Sequence, residues 1–195
     1  SIASSPTRTI AGLKDFDRKV HVITPEAAKK IIFERYFCGV DWGWEHYGAI
    51  VLIGVARGAY YILEEHATKH RHINKWVKIA KDIIKRYGNI PFYCDPARPE
   101  HVATFQENGI RAYLANNRVL SGIEAVATLM IKKQFFIMYD SCPRFREEIY
   151  KYIWNGNTGE PLKENDDVLC AIRYGIYSDM TVEKIETPEA RMNQA

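Results

Sequence analysis

Acidic residues stand at the ends of predicted elements at three places in this 195-residue sequence. Asp41 and Asp95 each end an apolar run, and the pair Asp166-Asp167 opens a predicted helix. Divalent cations bind carboxylate oxygens well, and two such ions about 3.5–4 Å apart can activate a water molecule and stabilise the departing oxygen of a phosphodiester. Side chains from separate elements are needed, because adjacent strand residues point to opposite faces. The pattern therefore predicts a metal-dependent phosphodiester site.

Each of these acids also has an ordinary structural explanation. An Asp at a strand end is most often a turn residue, and Asp95 precedes Pro96, a common start of a turn. Asp166 and Asp167 at a helix start are typical of an N-cap and of a favourable interaction with the helix dipole. The three places together are more informative than any one, but the pattern alone leaves both explanations open.

The elements that must position these acids follow from hydrophobic periodicity. Apolar and alternating runs predict an antiparallel meander of three strands at residues 35–41, 49–55 and 59–65, and further strands at residues 90–95, 110–114 and 135–138. Helices are predicted at residues 24–34, 73–87, 99–108, 119–133, 144–152 and 166–177. A meander followed by alternating helices and strands indicates an α/β fold with a mixed sheet flanked by helices.

Composition bounds the protein to one domain with a substantial core, since 47% of the residues are apolar. Residues 1–20 are predicted to be a flexible lead-in, residues 21–180 the domain, and residues 181–195 a frayed tail. The first residue is Ser1 rather than Met, which suggests a piece of a longer protein. No membrane span or signal peptide is predicted. The four scattered cysteines favour reduced thiols over a zinc site.

Any nucleic-acid contact must come from local basic clusters, because the net charge is only +3. Two clusters are candidates for DNA phosphates: Lys69 and Arg71 after the third strand, and Lys132 and Lys133 after a predicted helix. A solvated loop is the alternative explanation for the first cluster.

Several motifs in order along the chain resemble the nuclease domain of the large terminase subunit of tailed bacteriophages, which belongs to the RNase H-like superfamily. The matching stretches are Gly39-Val-Asp41-Trp-Gly43 with Ala49-Ile-Val, Leu63-Glu-Glu65, Cys94-Asp95-Pro-Ala97, Ser121-Gly-Ile123, Glu148-Ile-Tyr-Lys-Tyr152-Ile-Trp154 and Asn165-Asp-Asp-Val-Leu-Cys-Ala-Ile-Arg-Tyr174. The resemblance covers residues 36–177 and implies an RNase H-like mixed sheet.

By this resemblance, Asp41 and Asp95 take the first two carboxylate positions of the family. Many relatives place the third acid where this chain has Cys170, and a thiol suits Mg²⁺ poorly. The third role is therefore transferred to Asp167, one helical turn before Cys170, with Asp166 as a cap or a further metal contact. The implied catalytic residues are Asp41, Asp95 and Asp167, and the implied metal residues are these three with Asp166.

The resemblance implies an endonuclease that uses two Mg²⁺ or Mn²⁺ ions to cut concatemeric viral double-stranded DNA during genome packaging, in the cytoplasm of the host. Its implied partners are DNA, an ATPase domain that precedes it in the intact subunit, the small terminase subunit and the portal. No GxxxxGK[ST] motif occurs in this chain, so ATP hydrolysis is not expected of it.

Three other functions compete with this one. A DNA- or portal-binding module would not cut, and a missing third acid would favour it. A Holliday-junction resolvase would cut four-way junctions selectively. An actin-like ATPase or sugar kinase also has a first strand that ends in an acid, but it needs two such domains, and this chain has room for one.

Overall fold

A six-stranded mixed sheet with helices on both faces forms the protein in the computed structural model, which describes residues 15–155 and 166–186. The strands are β1 (Arg35–Asp41), β2 (Gly48–Ala56), β3 (Ala59–Thr68), β4 (Phe92–Cys94), β5 (Ala112–Leu114) and β6 (Phe135–Ile137). The helices are α1 (Arg18–His21), α2 (Pro25–Lys29), α3 (Ile73–Tyr87), α4 (Pro99–Glu107), α5 (Val119–Ile131), α6 (Pro143–Asn155) and α7 (Asp167–Glu186), and a 3₁₀ turn spans Tyr139–Ser141.

The strand order is β5-β4-β1-β2-β3-β6. The first three strands pair antiparallel, as the meander predicted, and β4 and β6 add in parallel to β1 and β3. Parallel pairing follows because α3, α4 and α5 return the chain across the sheet between strands. The mixed α/β sheet predicted from the sequence is confirmed.

Two apolar layers cover the sheet, and the alternation of β1 decides which side chain enters which layer. Phe37 packs with the residues of α5, α6 and α7, whereas Cys38 and Val40 pack with those of α3 and α4. By the same alternation Asp41 lies on the face that α7 covers. All four cysteines are unpaired, as expected.

Several element bounds differ from the prediction by a few residues, and two helices differ by more. The predicted helix at residues 24–34 is only Pro25–Lys29, with Thr24 as its N-cap, and β1 begins soon after it. The last helix was predicted to end near Tyr177 but continues to Glu186, because buried Asp179 bonds Arg35 of β1 and Tyr60 of β3.

The structure describes only part of the two ends of the predicted domain. Phe16 is buried in the core, so packed structure begins before residue 20. The lead-in up to residue 14, residues 156–165 and the tail from residue 187 lie outside the described residues, and the domain bounds stay a prediction. Within the described residues, no helix is both long enough and apolar enough to cross a membrane.

Helix α7 crosses strand β1 at a close contact between Gly39 of the strand and Gly175 of the helix. A Cβ on Gly39 would overlap the backbone carbonyl oxygen of Ala171, and a Cβ on Gly175 would lie 3.2 Å from the Cα of Gly39. A side chain at either position would force the helix away from the strand. This close approach sets where the N-terminus of α7, with its acids, stands relative to the end of β1.

We expect Gly39→Ala to lower the free energy of unfolding by roughly 1–3 kcal/mol or more, because overpacking against backbone cannot relax through a side chain. The same change should weaken the response of the melting temperature to Mn²⁺, since α7 carries two of the predicted metal residues. Gly109→Ala is the control: no atom lies near its Cβ, but its φ of +77° makes any side chain costly there. It should lower stability and keep the Mn²⁺ response; an equal loss of response in both variants would contradict this role of Gly39.

Candidate metal centre and comparison with known proteins

Asp41 and Asp95 meet at the carboxyl ends of two neighbouring parallel strands. Asp41 is the last residue of β1, Asp95 follows β4, and the residues before them, Val40 and Cys94, are paired. The backbone N–H of Asp95 donates to the carbonyl of Val40 at 2.8 Å, and the two carboxyl groups are hydrogen-bonded to each other. The indole N–H of Trp42 donates to the carbonyl of Asp95 at 3.1 Å, which fixes the turn after β4.

The N-terminus of α7 adds the third acidic position. Asp166 precedes the helix, and its carbonyl accepts the first helical hydrogen bond, from the N–H of Cys170 at 2.7 Å. Asp167 is the first helical residue. The charges of both residues act on Asp41, so the four predicted acids lie at the same end of the sheet, and their role as metal ligands stays a prediction.

Burial and the neighbouring negative charges raise the pKa values of two carboxyl groups in this cluster, those of Asp41 and Asp167. The pKa of Asp41 is raised to about 9, first by burial, then by the charges of Asp95 and Asp167, by the hydrogen bond to Asp95 and by Asp166. The pKa of Asp167 is also raised, by burial and by Asp166, although Arg144 and His46 act in the opposite direction. Without a cation, Asp41 and Asp167 hold their protons more tightly than free carboxyl groups do.

One oxygen of Asp167 marks where a cation would fit. Its Oδ2 is buried and has no hydrogen-bond partner among the described residues, which is costly for a carboxylate. Across residues 15–155 and 166–186, no group of three or more His, Cys, Asp or Glu side chains stands ready to hold a metal ion. The acids therefore converge without forming a closed set of ligands, yet their donor chemistry, the raised pKa values and the unpartnered oxygen fit a divalent cation. Asp41, Asp95 and Asp167 are the residues that would hold it.

Cys170 lies one turn after Asp167 and faces the same cluster. Burial, followed by the charges of Asp166 and Asp41, raises the pKa of its thiol well above the ordinary value. The guanidinium of Arg173 donates to its sulfur at 3.9 Å. A protonated thiol is a weak ligand for a hard cation, so Cys170 is poorly suited to replace the missing acid.

Two carboxylates to which the sequence analysis gave no role, the buried Glu148 and the partly buried Glu65, hold the helices of the site. Glu148 of α6 is fully buried, and it accepts the backbone N–H groups of Val168 and Leu169 at 3.1 and 3.0 Å. Glu65 of β3 accepts the N–H groups of Arg144 and Phe145 at the start of α6. Through these contacts β3 positions α6, and α6 positions the turn of α7 that carries Asp167. The available signal was that both acids lie in stretches that match the family, Leu63-Glu-Glu65 and Glu148-Ile-Tyr-Lys-Tyr152-Ile-Trp154.

The two predicted DNA-binding clusters lie at opposite edges of the sheet, that is, at opposite ends of its central strands. Lys69 and Arg71 follow β3, whose Thr68 pairs with Gly48 next to the end of β1. Lys132 and Lys133 precede β6, which pairs with the start of β3 at the other edge. The seven residues of β1 separate these edges by roughly 20 Å at about 3.3 Å per residue. Only the first cluster could contact a phosphate next to the acids, and both assignments stay predictions.

A cavity next to Lys132 is also remote from the acids. It has a volume of about 720 Å³ and is lined by Arg35, Tyr60 and Lys132 among others. Because Arg35 begins the strand that Asp41 ends, this cavity opens at the edge opposite the carboxylates. The site is therefore located by its chemistry and not by cavity size.

Residues 38–178 match the family model of the terminase RNaseH-like domain. The chain belongs to this family. The matched range runs from within β1 to Ser178 in α7, so it contains every acid of the candidate centre.

Curated relatives match over shorter stretches. The terminase large subunit of Salmonella phage P22 is 40% identical over 77 residues, which are 40% of this chain and 13% of that protein. A UDP-N-acetylmuramoylalanine–D-glutamate ligase of Clostridium novyi is 40% identical over 74 residues, which are 38% of this chain and 16% of the ligase. The chain thus spans only a small part of the length of either relative, and the family model covers far more of the chain than the ligase does.

Solved structures confirm the RNase H-like fold of this terminase domain. The large terminase of a thermophilic bacteriophage, in complex with ADP, is 25% identical with a TM-score of 0.71 over 84% of this chain and 43% of that one. The nuclease domain of the P22 large terminase is 18% identical, with a TM-score of 0.66 over 90% and 97% of the two chains. The nuclease domain of the bacteriophage SPP1 large terminase, solved with bound Mn, is 16% identical, with a TM-score of 0.63 over 82% and 96%.

Proposed function

We propose that this terminase domain is a divalent-metal-dependent DNA endonuclease. The observation that carries the proposal is the convergence of Asp41, Asp95 and Asp167 from β1, β4 and α7, with the Oδ2 atom of Asp167 buried and unpartnered among the described residues. The Mn-bound state of the SPP1 nuclease domain supports the choice of ion, with Mg²⁺ or Mn²⁺ as the expected metal and two ions as the expected number.

Each acid of the candidate centre has its own role in the proposed mechanism. Two bound cations would supply an activated water molecule and charge stabilisation for the departing 3′ oxygen. Asp41, on which the charges of Asp95 and Asp167 act, would hold metal together with these two residues and would release its proton when a cation binds. Asp95 is oriented by the N–H of Ala97, which donates to its Oδ1 at 2.9 Å. Asp166 would begin the helix and serve as a cap or a further metal contact.

The biological setting is part of the same proposal. The P22 relative is a terminase large subunit, and the ADP-bound structure is a large terminase of which this chain spans 43%. We therefore take the substrate to be concatemeric viral double-stranded DNA, cut during genome packaging in the host cytoplasm. An ATPase domain of the same subunit, the small terminase subunit and the portal are the proposed partners.

A plasmid cleavage assay tests the activity. We expect the chain to nick and linearise supercoiled plasmid in Mn²⁺ or Mg²⁺, with little sequence preference, and to stop in excess EDTA. Cleavage that persists in the chelator would refute the metal mechanism. A plasmid that shifts in a gel but is never nicked would instead support a DNA- or portal-binding module, and preferential cutting of a four-way junction would support a resolvase.

A further inference from the structure

Arg144 is a buried cation with one unpaired donor beside the acid cluster. Its side chain is only 8% exposed; Nε donates to the buried Glu148 at 3.2 Å, and Nη1 donates to the exposed Glu147 at 2.8 Å. Its Nη2 atom is buried and has no hydrogen-bond partner among the described residues. Glu148 Oε1 accepts from Arg144 and also from the backbone N–H of Val168, which places the guanidinium close to the start of α7 and its Asp167.

A cleft of about 420 Å³ opens at this guanidinium, with Tyr47 and Arg71 in its lining. The guanidinium carbon of Arg144 lies 4.0 Å from the centroid of the Tyr47 ring, and the Lys69 ammonium lies 5.2 Å from the same centroid. The cations of Arg144 and Lys69 therefore both lie against the ring of Tyr47. Arg71, in the lining of the cleft, adds a third cation nearby, at the edge of the sheet where Asp41 lies. Such an arrangement suits the phosphate of a nucleic-acid strand.

Two carboxylates in the lining of the cleft differ in how firmly they are held. Glu65 is engaged by the N–H groups at the start of α6, so it cannot move without uncapping that helix. Glu147 is 60% exposed, and among the described residues its ion pair is with Arg144, between positions i and i+3. The Glu147 carboxylate is exposed to solvent, so another anion can take its place without leaving the buried guanidinium of Arg144 unpaired.

A phosphate suits this position of Arg144 better than the Glu147 carboxylate does. Two phosphate oxygens can accept from Nη1 and Nη2 together, and such paired, charge-assisted hydrogen bonds are stronger than a single contact. The exchange would also give a partner to Nη2, which is buried without one among the described residues. The Nε contact to Glu148 would remain and keep the plane of the guanidinium fixed.

We propose that the Nη1–Nη2 edge of Arg144 binds a phosphate of the DNA strand next to the cleavage site, and that Glu147 occupies this edge when DNA is absent. This inference rests on the proposed nuclease function for the identity of the ligand. Arg144 is thereby a substrate-binding residue, and Glu147 a carboxylate that competes with the DNA phosphate for it.

This assignment can be tested by measuring DNA affinity under conditions in which the chain cannot cut DNA. The chain carrying Asp95→Asn is titrated in EDTA with a short labelled duplex at salt concentrations between about 50 and 200 mM. Glu147→Gln should tighten binding about threefold, because the carboxylate that competes with the phosphate for Arg144 is removed. Glu107→Gln, an exposed carboxylate at the far end of α4, is the control for the charge change and should alter affinity less.

Arg144→Gln should weaken binding about tenfold and reduce the magnitude of the salt slope by about 0.9, the value for one lost phosphate contact. Arg57→Gln removes an exposed cation at the opposite edge of the sheet and should change both quantities less. Glu147 is exposed, so its variant keeps the test decisive even where Arg144→Gln fails to fold.

Several results would overturn the assignment: no measurable binding by the parent chain, a Glu147 effect no larger than that of Glu107, or a folded Arg144→Gln variant that behaves like Arg57→Gln. Failure of the nuclease proposal looks different, since the wild-type chain would then not cut plasmid in Mn²⁺ whatever Arg144 and Glu147 do to binding. Cleavage with no special effect of these two residues would leave the nuclease intact and reject the phosphate site.

Discussion

Asp167→Ala should abolish DNA cleavage while DNA binding is kept. Asp167 is the only first-turn acid of α7, and its Oδ2 atom is buried without a partner among the described residues, as expected of a ligand awaiting its cation. Loss of a residue that holds the metal should slow cleavage by about 10³-fold or more, which corresponds to roughly 4 kcal/mol of the barrier. Single-turnover cleavage of labelled duplex in Mn²⁺ measures this loss, and a gel shift measures binding.

Cys170→Ala is the matched control, because Cys170 lies one turn further along the same side of the helix. Its protonated thiol offers the cation little, so the variant should cut within about twofold of the wild-type rate. Asp166→Ala should lie between the two, since that residue begins the helix. If Cys170→Ala removed activity and Asp167→Ala spared it, the third position would belong to the cysteine.

Asp41→Asn should abolish cleavage and at the same time stabilise the metal-free protein. The pKa of Asp41 is about 9 in the folded chain against an ordinary 3.8, so ionising this carboxyl in the folded state opposes burial and the charges of Asp95 and Asp167. The variant keeps the shape of the side chain and removes the charge. One kcal/mol shifts the melting temperature of a chain of this size by about 2–4 °C, so we expect an increase of several degrees.

The pH dependence of this gain has a definite sign. A group whose folded pKa is raised contributes stability that is fully present below its unfolded pKa and is lost as pH rises through the folded value. For Asp41 this window runs from about pH 4 to about pH 9. The stability difference between Asp41→Asn and the wild type should therefore be near zero at the acid end and grow toward pH 9. A variant that melts well below the wild type throughout would indicate a structural role for Asp41.

Metal addition should reverse the order of the two proteins. A ligand at about 100 times its Kd stabilises the folded state by about 2.7 kcal/mol, which corresponds to a rise of roughly 5–10 °C in the wild-type melting temperature. Asp41→Asn lacks the central ligand and should show little response to Mn²⁺. Equal responses of the two proteins to Mn²⁺ would place the cation elsewhere.

Much of this site was readable from local patterns in the sequence. The meander, the apolar runs that end at Asp41 and Asp95, the amphipathic helix α3 and the acids at the start of α7 depend on residues close in the chain. Side-chain periodicity and turn residues report such neighbours directly. The order of motifs along the chain added the family and the mixed sheet that goes with it, and the family match confirmed both.

Only the tertiary structure decided how these pieces meet. The crossing of α7 over β1 depends on Gly39 and Gly175, which lie 136 positions apart in the sequence and leave no periodic signal of their contact. The cap that Glu148 provides serves N–H groups about 20 residues further on, and Lys132 is carried to the edge away from the acids because β6 pairs with the start of β3. The local sequence determines which residues prefer a strand, a helix or a cap. The distant residues that each of them contacts are determined by the packing of the whole chain, which is driven by the burial of the two apolar layers.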